Sequence, residues 1–229
     1  MAAANHLSLE QITDFCRGTP LERFRFHFHP SIDSTNLEAR RAFQQGAEDY
    51  SVYVAEQQTS GRGSHGRSWH SPPGVGLYFS ILLKPDWNPE ECLNLTRLAA
   101  LAALDAMNGL MGTRTGNPPP LRLQIKPPND LLVNGRKVCG ILVESASAGS
   151  SVLYAVVGFG INVNHRQFPL ELSESATSLF IESGLIFDRV ELLCEVLNQF
   201  DVVYGRARQQ GFSWLQSWWN SLAGDRHVS

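Results

Sequence analysis

The 229 residues carry a formal charge of -3, with 43% hydrophobic and 18% charged residues, the balance of an ordinary soluble chain long enough to bury one large core. A near-neutral chain lacks the broad basic field that neutralises phosphate backbones, so nucleic acid is not an expected partner and any anion has to be held locally. No stretch approaches the roughly 20 apolar residues of a bilayer span, and MAAANHLSLEQ has no basic region ahead of an apolar core, so no membrane partner and a cytoplasmic location are expected.

In chain order, Ser8 caps a predicted helix over Leu9–Arg17, and Arg23–His29 alternates as a strand with Phe24, Phe26 and Phe28 on one face. A turn at Pro30–Ser34 leads into a helix capped by Ser34 or Thr35 and ended by Gly46. Val52–Glu56 and Gly76–Leu83 read as buried strands separated by a long loop, and the apolar stripe Leu93, Leu95, Leu98, Leu101, Ala102 and Leu104 predicts a helix over Glu90–Met111. Thr113–Pro120 reads as a linker. Beyond it come strands at Arg122–Ile125, Asp130–Val133, Val138–Ser145 and Val152–Phe159, the middle pair joined by an Asn134-Gly135 hairpin signal. Two helices, Asp188–Arg208 and Phe212–Leu222, close the chain. The pattern predicts an α+β fold: a mixed, largely antiparallel sheet with helices packed against it.

Four segments carry chemistry. Gln57–Trp69 places Gly61, Gly63, Gly66, Arg62 and Arg67 between two strands. Glycines let backbone N–H groups turn toward an anion and arginines add planar multiple donors. A solvated surface loop is the alternative, and the GxxxxGK[ST] spacing of a Walker loop is missing. In Lys126–Glu144, Pro127 and Pro128 precede Asn129 and Asp130, and the Asn134-Gly135 turn returns Lys137 toward Asp130, as a catalytic pair or as an exposed ion pair worth under about 1 kcal/mol. Gly158-Phe159-Gly160-Ile161-Asn162 permits close approach of a ligand, with Asn162 available to an adenine edge, or marks a plain strand end. Asp33-Ser34-Thr35-Asn36 offers small polar groups at a helix start, either to a neutral polar ring or as an N-cap.

His27 and His29 share a strand face, but no third metal ligand is indicated. Cys16, Cys92, Cys139 and Cys194 are scattered without a CxxC pair, so reduced thiols are expected. Neither GxSxG nor HExxH occurs.

Taken in order, these segments resemble the catalytic core of biotin protein ligases, whose patterns are DSTN, QTxGRGRxGRxW, KWPNDL with a following RKxxGIL.E, and GxGIN. The match runs from about Phe28 to Asn164. The resemblance implies biotin and ATP as substrates, Mg²⁺ with the ATP, biotinyl-5′-AMP as intermediate, and the lysine of a biotin carboxyl carrier domain as acceptor. It puts Ser34, Thr35, Asn36, Gln57, Gly61, Gly140 and Ile141 around biotin, with Arg62 and Lys137 shared between biotin and nucleotide. Gly63, Ser64, Arg67, Trp69, Asn129 and Asn162 fall to the ATP or adenylate, and Lys137, Arg62 and Asp130 take the catalytic roles, with no protein-borne metal site. A homodimer is left open. A pure biotin-binding or sensing module, and lipoate or octanoate transfer, stand beside this reading.

Two departures matter. Ser64 stands where the family often has a second arginine, which predicts looser hold on the adenylate unless Arg67 or His65 compensates, and Pro127 replaces the usual tryptophan. Residues 1–222 read as one catalytic domain. Too little chain precedes Phe24 for a helix-turn-helix domain, and 223–229 reads as a remnant or start of a small SH3-like barrel.

Overall fold

The computed structural model describes residues 7–114 and 121–224. Its strands are β1 (Arg25–His29), β2 (Ser51–Ala55), β3 (Gly76–Leu83), β4 (Leu123–Lys126), β5 (Asp130–Val133), β6 (Arg136–Ala148) and β7 (Ser151–Asn162). They form one sheet in the order β1-β2-β3-β7-β6-β5-β4. Only β1 and β2 run parallel; the other neighbours are antiparallel. The helices are α1 (Leu9–Cys16), α2 (Thr35–Gln44), α3 (Pro89–Cys92), α4 (Leu95–Arg114), α5 (Leu179–Ser183), α6 (Arg189–Gln210) and α7 (Ser213–Gly224). The mixed, largely antiparallel α+β fold is as the sequence predicts.

The sheet's two faces follow from the period-2 alternation of strand side chains. On β7, Val157, Phe159 and Ile161 join a large core with Phe79 and Ile81 of β3 and with α1, α4 and α6. The alternate positions Ser80, Gly158, Gly160 and Gly140 are small or without a side chain. They hollow the opposite face, where α2 packs with a minor apolar cluster of Ala39, Tyr53, Leu82 and Val156. Gly140 and Gly160 are direct partners across β6 and β7, and Asp130 pairs with Gly140 from β5.

Local chemistry sets the element ends. Asn134 and Gly135 adopt φ of 51° and 77°, the left-handed pair of a two-residue β-hairpin. Asn88 and Glu91 form a capping box on α3, and the Asn94 amide then bonds the Glu91 carbonyl at 3.1 Å. That break splits the predicted Glu90–Met111 helix in two. Thr113 and Arg114 extend α4, while the rest of the predicted linker, 115–120, lies outside the described residues, as does the tail from 225. β7 runs through the glycine pair to Asn162 instead of ending before it. His27 stacks on Tyr53 with ring centroids 4.8 Å apart. Among the described residues no group of three His, Cys, Asp or Glu is placed to hold a metal, and no helix is long and apolar enough to cross a membrane.

One buried ion pair ties the layers together. Arg189, fully buried at the start of α6, donates to Glu56 at 3.0 and 3.2 Å and to the Gly76 carbonyl at 3.0 Å. Glu56 also accepts from the Gly74 N–H at 2.6 Å, fixing the far end of the long loop.

Candidate active site

Two adjoining cavities open over the hollowed face of the sheet. The first, of about 410 Å³ with its mouth, is walled by Ser34, Thr35, Gln58, Arg62, Asn129 and Gly140 among others. The second, of about 1010 Å³ with its mouth, is walled by Asp130, Asn162, Arg67 and Phe168 among others. Gly63, Ser64, Trp69 and Lys137 line both.

Helix α2 delivers the polar end of the first cavity. Ser34 is its N-cap residue but makes no side-chain cap bond, so the N-cap reading does not hold for its hydroxyl. Asp33 instead accepts the Ser34 N–H at 2.7 Å and is gripped by both terminal nitrogens of Arg41 at 2.8 Å. Arg41 holds the Asp33 carboxyl down to about 2. Thr35 donates its N–H to Gln58 Oε1 at 2.9 Å, and Gln58 Nε2 bonds Ser71 Oγ at 2.9 Å. Asn36, buried, accepts from Ser80 Oγ at 2.7 Å and donates to Glu144 at 2.8 Å and to the Leu142 carbonyl at 3.2 Å.

The glycine-arginine loop folds on itself as a small hairpin. Gly63 N–H bonds the Arg67 carbonyl at 2.7 Å, Trp69 N–H bonds the Gly61 carbonyl at 2.8 Å, and Arg62 bridges Ser68. The Thr59 and Ser60 N–H groups fasten its base to the Ile32 and Asp33 carbonyls at 2.8 and 2.9 Å. Gly61 is packed, since a Cβ there would stand 2.5 Å from the Trp69 carbonyl. The result lays the Trp69 indole across the glycine rung: a Cβ on Gly140 would stand 2.8 Å from its ring, and one on Gly160 would overlap its nitrogen. That nitrogen is buried over Gly160 without a hydrogen-bond partner in the protein. Arg67 turns back to Ser64, donating to its hydroxyl at 2.8 Å and its carbonyl at 3.2 Å.

Lys137 stands where the cavities meet. Its backbone is clamped on both sides, N–H to the Ser175 carbonyl at 2.8 Å and carbonyl from the Thr177 N–H at 2.9 Å. Asn162 adds a 3.3 Å bond to the same carbonyl. Its ammonium is 2.6 Å from Asp130 and 5.0 Å from the centre of the Trp69 ring. Asn129 Nδ2 bonds the Ile141 carbonyl at 2.8 Å, locking the turn before β5 to β6. Cys139, two residues on from Lys137, is fully buried in the core, and burial pushes its thiol up to about 12, far from any nucleophilic role.

The structure thus gathers Ser34, Thr35, Arg62, Gly63, Ser64, Trp69, Asn129, Lys137, Gly140 and Ile141 at the first cavity, and Arg67, Asp130 and Asn162 at the second. Asn36 borders the first through its network. Gln57 is not brought there: its side chain bonds Ser31 at 2.9 Å, and the neighbouring Gln58 lines the cavity. The signal was present, since the QTxGRG pattern places its glutamine directly before the threonine, here Thr59. Glu144, bonded to Asn36 and Arg62, also went unassigned by sequence.

A mixed sheet hollowed at its glycine rung and roofed by a glycine-arginine loop places the chain among biotin-ligase-type domains. The biotin protein ligase from Aquifex aeolicus in complex with biotin and ATP superposes with a TM-score of 0.67 at 31% identity, over 82% of this chain and 73% of that one. Residues 28–162 match the Biotin/lipoate A/B protein ligase family, and the chain belongs to it. The bifunctional ligase/repressor BirA of Bacillus spizizenii is 36% identical over 194 residues, 84% of this chain and 57% of that protein. The biotin--[acetyl-CoA-carboxylase] ligase of Paracoccus denitrificans is 33% identical over 194 residues, 83% of this chain and 78% of that protein. The chain therefore spans little more than half the length of the BirA relative it matches.

Proposed function

We propose that this chain is a biotin protein ligase: it joins biotin to ATP as biotinyl-5′-AMP and then passes the biotinyl group to one lysine of a biotin carboxyl carrier domain. The observation that carries the reading is Lys137, which lines both cavities. A carboxylate in the first cavity and an α-phosphate in the second would meet there. Biotin lies in the first cavity on this reading, its ureido ring toward Ser34, Thr35 and Gln58, and the adenine lies against Trp69 and Asn162.

In the first step a biotin carboxylate oxygen attacks the α-phosphorus, the bond to the β-phosphate oxygen breaks, and pyrophosphate leaves. Two anions must be brought together, so the chemistry is mainly positioning and charge stabilisation. Lys137 and Arg62 supply fixed positive charge. ATP is taken as its magnesium complex, and the metal travels with the nucleotide. In the second step the carrier amine attacks the carbonyl of the mixed anhydride, AMP leaves, and the nitrogen loses a proton. Only on the order of one lysine in 2,500 is neutral at pH 7. Asp130, already 2.6 Å from one ammonium, is suited to orient and deprotonate a second. The reading places the enzyme in the cytoplasm, where the four free thiols stay reduced.

The test is biotin-dependent exchange of labelled pyrophosphate into ATP, followed by mass measurement of a biotin carrier domain incubated with the protein, ATP and biotin. Exchange with biotin and a carrier gain of one biotinyl group are expected. Exchange only with lipoate, or biotin binding without exchange, would replace the assignment. Lys137→Ala should cut exchange at least about 100-fold, the scale on which a single charge-stabilising group acts.

A further inference from the structure

Glu144 is an odd neighbour for a site that takes anions, because its charge opposes theirs. It lies on β6 with the parity of Leu142 and Gly140, facing the cavity side of the sheet. Its Oε1 is 3.0 Å from Arg62 Nη1, and its Oε2 accepts from Asn36 Nδ2 at 2.8 Å. Asn36 is itself immobilised, with Ser80 on its oxygen, Leu142 on its nitrogen, and Gly158 beneath it, where a Cβ would overlap its amide. The hydrogen bonds have one consistent sense: the Asn36 nitrogen faces the carboxylate, which leaves its oxygen to accept the Ser80 hydroxyl. A rigid chain thus runs from the sheet to the carboxylate and ends on the arginine.

We propose that Glu144 is a positioning residue for Arg62, holding the guanidinium over the first cavity so that its remaining N–H groups meet the ligand's carboxylate and phosphate. The proposal rests on the reading of Arg62 as the anion-binding arginine. A guanidinium has five donors in one plane, so a partner on one nitrogen fixes the direction of the others without using them up. The Arg62 side chain is 41% exposed on a loop, where an unheld arginine would sample many rotamers. The carboxylate thus adds a side-chain tie between α2 and the loop's arginine to the bonds that already fasten the loop's base near Thr35.

The test compares wild type, Glu144→Ala, Glu144→Gln, Glu144→Asp, Arg62→Ala and the Arg62→Ala/Glu144→Ala double variant in biotin-dependent pyrophosphate exchange. Glu144→Ala should raise the KM for biotin about tenfold and lower kcat by up to about tenfold as well, since Arg62 meets both the bound carboxylate and the charge that develops at the phosphate. Glu144→Gln keeps one oxygen for Arg62 but turns an NH2 donor against the Asn36 nitrogen, so it should fall between wild type and Glu144→Ala. Glu144→Asp keeps the charge but withdraws it by one methylene, so it should match Glu144→Ala and stands in for it where that variant does not fold. In the Arg62→Ala background Glu144→Ala should have no further effect. An unchanged or lowered KM in Glu144→Ala overturns the proposal, as does an equal rise in both backgrounds, which would mark a structural role independent of Arg62. Wild-type KM in Arg62→Ala alone overturns the reading of that arginine, and the proposal with it.

Discussion

The Trp69 indole nitrogen occupies the space that a Cβ on Gly160 would need, so the ring stands on the sheet only because that position has no side chain. Gly160→Ala should push the indole off the rung. The expected result is loss of about 1–3 kcal/mol of stability from overpacking, together with a KM for ATP raised at least several-fold. Denaturant unfolding and exchange kinetics measure the two effects, and a variant with native stability and kinetics would show that Trp69 does not depend on the hollow.

Ser64 and Arg67 form a local pair in which the arginine donates to the serine hydroxyl at 2.8 Å while lining the second cavity. Arg67 is thereby placed to make up for the charge the family often carries at position 64. Arg67→Ala should speed dissociation of the preformed adenylate about tenfold or more, and Ser64→Arg should slow it in the wild-type background. Stopped-flow release of biotinyl-5′-AMP is the measurement. Equal rates for wild type and both variants would remove this loop from adenylate retention.

Removing one partner of a buried ion pair leaves the other charge uncompensated, at about 3–5 kcal/mol. Arg189 is fully buried and Glu56 keeps slight access to water, so Arg189→Leu should cost about 3 kcal/mol in urea unfolding. Because Glu56 also holds Gly74, the variant should lose protection of the amides around 71–76 in hydrogen exchange before the sheet opens.

His165 gives a pH dependence whose sign follows from burial. Desolvation, followed by the charges of His70 and Arg189, holds its imidazole down to about 4. The unfolded chain takes up this proton near pH 6.5, so between pH 6.5 and 4 it binds more protons than the folded one, and stability rises with pH in that window. The contribution is complete above pH 6.5 and is lost as pH falls toward 4, on the order of 3 kcal/mol at most. Thermal melts of wild type and His165→Gln should diverge in slope over that range, and parallel curves would mean that His165 is protonated as easily in the folded chain.

The sequence made the Asn134-Gly135 turn readable because a two-residue hairpin demands positive φ at both positions, and asparagine and glycine tolerate it. The glycines of β7 misled in the opposite sense. Gly158 and Gly160 suggested a strand end, yet the sheet continues through them and uses the missing side chains as space for Asn36 and Trp69. That use depends on residues more than 90 positions distant, which no local pattern records. Gln57 and Gln58 are told apart by the motif, whose glutamine directly precedes the threonine, and the Ile32 to Gln58 bridge beyond the end of β2 at Ala55 agrees with it. Helix α5 is too short for its apolar periodicity to announce it, and Ser178 and Gly184 mark its ends only in hindsight.

The hairpin that the glycine-arginine loop makes with itself separates two free energies that are often mixed. A loop ordered by its ligand would charge the entropy of fixing Arg62–Trp69 to binding. Here the bonds from Gly63 to Arg67 and from Trp69 to Gly61 join the loop's own backbone to itself, so that entropy can be met in the folding equilibrium. Changes to the loop's glycines should consequently register first in the stability of the chain, and substrates should encounter a surface whose shape was decided before they arrived.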